Sequence, residues 1–110
     1  MNFYIGNSIE DIDEQDLNVE FSDELIDFIY KLSKQVSFDM RKLYEIDPYE
    51  DVEVSKDDIS EIVEICNYIL DTLLIQNYKE PDEGKQMLQD LVEIAQKALS
   101  NGSGLISIGD

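Results

Sequence analysis

The 110-residue chain carries 26 Asp and Glu against 8 Lys and Arg, a formal charge of -18 with a sequence pI near 4.1. It has no histidine and one cysteine, which removes Ser-His-Asp and Cys-His nucleophilic systems, the usual zinc sites and any internal disulfide. Such a surplus of negative charge repels nucleic acid and anionic membrane surfaces and attracts basic proteins, so direct nucleic-acid binding is disfavoured.

The opening NFYIG, residues 2 to 6, is aromatic and β-branched and is punctuated by Gly6-Asn7, which predicts a strand. SIEDIDEQD follows without a clear period, and LNVEF at 17 to 21 alternates apolar and polar residues as a second strand would. Ser22 offers a helix N-cap with Asp23 and Glu24 in the first turn, where carboxylates favour the positive end of the helix dipole. Leu25, Phe28, Ile29, Leu32 and Val36 recur at helical spacing and predict a helix over 23 to 36. SFDMRKLYEI, 37 to 46, reads either as an extension of that helix after a break or as a short helix of its own. Asp47-Pro48 ends it, because the residue before proline is pushed out of the helical region.

EDVEV fits a short edge strand with Val52 and Val54 on one side. Ser55 and Asp58 then form a variant of the capping-box spacing, and the strongest helical pattern in the chain runs over 56 to 76. NYKEPDEG interrupts it and Asp82 is a candidate cap. Met87, Leu88, Leu91, Val92, Ala95, Ala98 and Leu99 mark a third helix that stops at Asn101-Gly102. In the tail, LISI is β-prone and Ile108-Gly109-Asp110 echoes Ile5-Gly6-Asn7. Short strands gain stability by pairing, so the two ends of the chain are expected to meet in a small sheet under the helices; a frayed tail is the alternative. The expectation is one α+β domain over 1 to 110: three main helices packed on a small sheet that includes both terminal strands.

Hydrophobic residues make up 43% of the chain, with four Phe and six Tyr, enough to pack a core despite the charge. There is no basic and apolar leader at the start, and no run approaches the roughly 18 apolar residues of a membrane span. Together with the single cysteine, these features predict a soluble cytoplasmic protein with no membrane association.

On the helix at 56 to 76, Ile59, Ile62, Val63, Cys66, Ile69, Leu70 and Leu73 share one sector. Asp57, Glu61, Glu64, Tyr68 and Asp71 share the opposite one, as a ridge roughly 21 Å long. Like charges one turn apart cost about 0.2 to 0.5 kcal/mol per pair, and no Lys or Arg on the ridge offsets them. The ridge is either the solvated side of a helix in an acidic protein or, with Glu50, Asp51 and Glu53, a surface that docks on a basic protein cleft. Tyr68 in its middle, like Tyr44 and Tyr49, reads either as an interface anchor or as simply a partly buried side chain.

DIDEQD lacks the glycine an EF-hand loop needs at its sixth position, and Ser22 stands where the closing Glu belongs; DPYEDVEVSKDD lacks that glycine too. No metal or cofactor is assigned. Cys66 falls on the predicted core face, where a thiol acts as a small apolar filler. Carboxylate pairs alone are a poor argument for an enzyme in a chain with 26 of them.

The whole chain resembles the small acidic immunity proteins encoded beside bacterial polymorphic or contact-dependent toxins. Its size, the YIGNSIEDID opening, the uninterrupted acidic segments and the helices with acidic faces carry the resemblance. It is a likeness of class and assigns no role to an individual residue. What it implies is a non-catalytic inhibitor that binds a cognate basic toxin, often a nuclease, at or beside its active-site cleft. The alternative is a DNA mimic whose carboxylates stand in for phosphates on a DNA-binding protein.

Overall fold

Four short strands, β1 (Asn2–Ile5), β2 (Asn18–Glu20), β3 (Val52–Val54) and β4 (Leu105–Ile108), form one antiparallel sheet in the order β2-β1-β4-β3. The computed structural model describes residues 1 to 109; Asp110, the last residue of the IGD echo, lies outside the described residues. β4 is thus an inner strand, with Asn2 opposite Ile108 and Ile5 opposite Leu105 on one side and Val54 opposite Leu105 on the other. The frayed-tail alternative gives way to the paired one. Strands this short gain independent stability only in a sheet of three or more with an apolar face packed on helices.

Directly opposed residues share a face of the sheet. Phe3, Leu105 and Val54 look toward the helices and belong to the main core with Phe21, Leu25, Ile29, Ile59, Ile62, Ile69, Leu88 and Leu91. Burying a side chain of this kind contributes about 1.5 to 3 kcal/mol, before the entropy of ordering it. Tyr4 and Ile106 point the other way, yet they too are buried. The segment between β1 and β2 covers them. A Cβ at Gly6 would lie 2.8 Å from Cδ1 of Ile12 and 3.5 Å from Ile106, which places the Ile12 side chain against this side of the sheet. The backbone N–H of Ile9, in a 3-10 turn over Ile9–Asp11, donates to Oε2 of Glu53 at 3.1 Å, which carries the segment as far as the β3 edge. The acidic SIEDIDEQD stretch is therefore a strap across the outer face of the sheet.

Four helices complete the chain: α1 (Asp23–Ser33), α2 (Arg41–Tyr44), α3 (Lys56–Asp71) and α4 (Pro81–Ser100). Ser22 Oγ accepts from the Leu25 N–H and Ser55 Oγ from the Asp58 N–H, so both serine caps work as the sequence implies. The ambiguous 37 to 46 segment holds the short, separate α2, whose first N–H donates to Oδ1 of Asp39. α4 packs on β1 and β2, and α3 packs on α4.

Three boundaries differ from the sequence-based expectation. α1 stops at Ser33 and not at 36, with the Ser33 hydroxyl bonded back to the Tyr30 carbonyl, an arrangement that competes with continuing the helix. α4 starts at Pro81, with Glu80 in the N-cap position but making no side-chain capping bond, in place of a cap at Asp82; proline fits there because its missing N–H has no helical partner to lose. α3 ends at Asp71, and Leu73 adopts φ 61° and ψ 17°, the left-handed position usually held by glycine after a helix. Leu73 leaves the core sector as a result and is 66% exposed, followed by a 3-10 turn over Leu74–Asn77. By contrast α4 ends conventionally. Gly102 has φ 69°, its N–H donates to Leu99 O, and Ser103 N–H donates to Ala98 O, the paired bonds of a Schellman stop.

Two consequences follow for stability. Leu105→Ala removes a fully buried side chain from the inner strand and is expected to lower unfolding free energy by about 2 to 5 kcal/mol in urea titration. Leu73→Asn loses little burial and relieves a left-handed leucine, so it is expected to raise stability by about 0.5 to 1 kcal/mol in the same assay.

Candidate functional site

The start of α3 is set by the sheet edge, because Val54 is the last residue of β3 and Ser55 caps the helix that follows. Ile59, Ile62, Ile65, Cys66 and Ile69 are buried along α3, and this fixes which side faces water. Asp57, Glu61, Glu64 and Asp71 are exposed on the outer side, in the order the spacing predicts. Ile65 is buried although it lies outside the predicted core sector, because α2 packs beside that part of α3.

α2 also changes the electrostatics of the ridge. Lys42 reaches Asp58 at 3.2 Å, and the proximity of Asp58 and then Glu61 holds its ammonium above the ordinary lysine range. Arg41 makes a forked contact with Asp39, its Nη2 2.8 Å from Oδ2, and this hydrogen bonding lowers the Asp39 carboxyl to about 2. Both pairs are well exposed, so each adds little to stability. Phe38, Asp39, Arg41, Lys42, Glu45, Glu61 and Glu64 line a depression of about 460 Å³ between the two helices. The ridge is therefore uncompensated within α3 but partly compensated from α2.

Tyr68 is partly buried on the ridge. Its ring stacks on Phe38 with centroids 4.3 Å apart and planes 8° from parallel, and it packs against the core half-buried. The flanking acidic loop divides in the same way. Glu50, Asp51 and Glu53 are all exposed, but Asp51 Oδ1 accepts from the Gly109 N–H at 3.0 Å and Glu53 receives the Ile9 N–H. Those two carboxylates hold the end of β4 and the strap in place through hydrogen bonds that their charge strengthens. The exposed carboxylates brought together on α3 are Asp57, Glu61, Glu64 and Asp71.

A second concave surface escapes sequence reading because it draws on α1, the turn after α2 and the segment before α4. Tyr30, Tyr44, Tyr49 and Tyr78 line a groove of about 670 Å³ with Asp23 and Asp27 on its wall. Tyr30 and Tyr44 meet edge to face at 5.2 Å, and Phe28 packs on Tyr78 at 5.0 Å. Tyr49 is 67% exposed, and its hydroxyl donates to Asp23 Oδ2 at 3.3 Å. The only sequence signal was the pair of tyrosines around Asp47-Pro48, already noted as anchor-like.

Among the described residues, no group of three or more Asp, Glu or Cys side chains converges as a metal site. No described helix is long and apolar enough to cross a membrane. Cys66 is fully buried, and the loss of water around its thiol pushes the pKa up to about 12. A thiolate is the reactive form, so Cys66 is expected to resist disulfide-exchange reagents near pH 8 in the folded protein. It is expected to react at once after unfolding in urea, which a colorimetric thiol assay reads directly.

The chain matches no family model, no curated protein and no solved structure.

Proposed function

We propose that this protein is a non-catalytic inhibitor of the immunity type, which binds a basic protein toxin in the cytoplasm and blocks it. A nuclease, whose cleft must attract phosphates, is the fitting target. The observation that carries the reading is the row of exposed carboxylates Asp57, Glu61, Glu64 and Asp71 along α3, in a chain of net charge -18. Stability does not account for that row, since neighbouring like charges on a helix oppose folding. A basic cleft accounts for it, because complementary potentials speed encounter and fix the register of docking. The mode of inhibition is occupation of the cleft or its rim, with Glu50 extending the acidic surface beyond the helix.

The test uses the product of the neighbouring gene as the binding probe, at low and moderate salt. Asp57→Asn, Glu61→Gln, Glu64→Gln and Asp71→Asn combined are expected to slow association by about tenfold or more and to weaken inhibition. A control that neutralises Glu10, Glu14, Glu83 and Glu93 instead removes the same charge from other surfaces and is expected to have a much smaller effect. Equal behaviour of the two variants would falsify the α3 reading. Competition by duplex DNA against many unrelated DNA-binding proteins would point to the DNA-mimic alternative.

A further inference from the structure

The tyrosine groove on α1 has a composition different from that of the α3 ridge. Its lining includes Phe28 and four tyrosines, and two of these, Tyr30 and Tyr49, are among the few large apolar side chains the described residues leave exposed. Asp23 and Asp27 stand one turn apart on its wall, within the chain's first thirty residues, where the nearest basic residue in sequence is Lys31. The cations already present show what chemistry the groove accepts. Lys34 places its ammonium over the Tyr30 ring at 4.7 Å, Lys31 pairs with Asp27 at 2.9 Å, and Lys79 pairs with Glu24. The lysines in both ion pairs are about two-thirds exposed, and contacts of that kind are weak and readily exchanged.

We propose that this groove receives an arginine-bearing segment of a basic protein, with the guanidinium stacked on Tyr49 or Tyr30 and hydrogen-bonded to Asp23 or Asp27. Arginine suits the site better than lysine. Its planar cation stacks on an aromatic face and its fork of N–H donors matches a carboxylate, whereas an ammonium is a strongly hydrated point charge. The two lysines that line the groove, Lys31 and Lys79, are each held by a carboxylate, and the field of the whole chain attracts a basic segment. The inference rests on reading the chain as a binder of a basic protein and names a second contact surface for that partner, separate from α3.

The test uses the full chain alone, labelled with nitrogen-15, titrated with acetyl-Gly-Arg-Gly-Arg-Gly-amide and with the lysine and citrulline versions of that peptide. Saturable shifts centred on Asp23, Tyr30, Tyr44 and Tyr49 are expected for the arginine peptide. The lysine peptide is expected to bind several-fold more weakly and the neutral citrulline peptide not to bind. Tyr49→Ala and Tyr30→Ala keep the net charge unchanged and are each expected to weaken arginine-peptide binding by about three- to tenfold. A thermal melt confirms that the variants are folded, and Asp23→Asn gives an independent reading from the wall of the groove. Shifts spread evenly over the acidic surface, equal binding of the arginine and lysine peptides, or unchanged binding by both tyrosine variants would overturn the proposal. Because no toxin is used, this result is separable from failure of the α3 inhibition assay.

Discussion

The pairing of β1 with β4 is the constraint on which the rest of the molecule depends. It brings residue 2 beside residue 108 and makes β4 the strand to which β3 attaches. β3 in turn fixes where α3 begins, since the capping serine follows its last residue. The outward direction of Asp57, Glu61, Glu64 and Asp71 is thus inherited from a ladder formed by the two ends of the chain. The same ladder buries residues on both of its faces: Phe3 and Leu105 against the helices, Tyr4 and Ile106 beneath the strap.

The carboxylates fall into two populations that composition cannot separate. Asp51 and Glu53 accept backbone N–H bonds and hold neighbouring segments, while Asp39 and Asp58 are matched with Arg41 and Lys42 from α2. Glu50 and the outer row on α3 are exposed charge, like the carboxylates on other surfaces such as Glu10, Glu14, Glu83 and Glu93. A partner that senses the total field would be drawn by both groups, but the outer row is the better placed to meet it directly. In the proposed inhibitor, the first population maintains the shape on which the second is displayed.

The architecture was legible from period and punctuation. Alternation in LNVEF, the two serine caps, the Asn101-Gly102 stop and the β-prone tail each report a local preference that the tertiary structure keeps. The errors arise where one element answers to another. Leu73 sits in the core sector of an ideal helix, but the helix ends two residues before it and the chain turns left-handed. Ile65 is missed from α3 alone because α2 covers that flank, and the Phe38 ring that stacks on Tyr68 also comes from outside the helix. The backbone bonds of Asp51 and Glu53 join positions 58 and 44 residues apart, and the tyrosine groove spans three separated segments. No helical wheel or short motif encodes such meetings.

Joining strands from opposite ends of the sequence also shapes how the protein reaches its native state. Contacts this far apart require closing a loop of nearly the whole chain, and that entropy must be overcome before the pairing returns any stability. Helices can form early from local contacts, whereas the central ladder must wait, leaving two apolar strands with bare edges in the interval. Such edges are what seed intermolecular β-stacking. Mutual repulsion among chains that each carry -18 opposes that encounter, so the acidity acts as an aggregation gatekeeper while the chain folds.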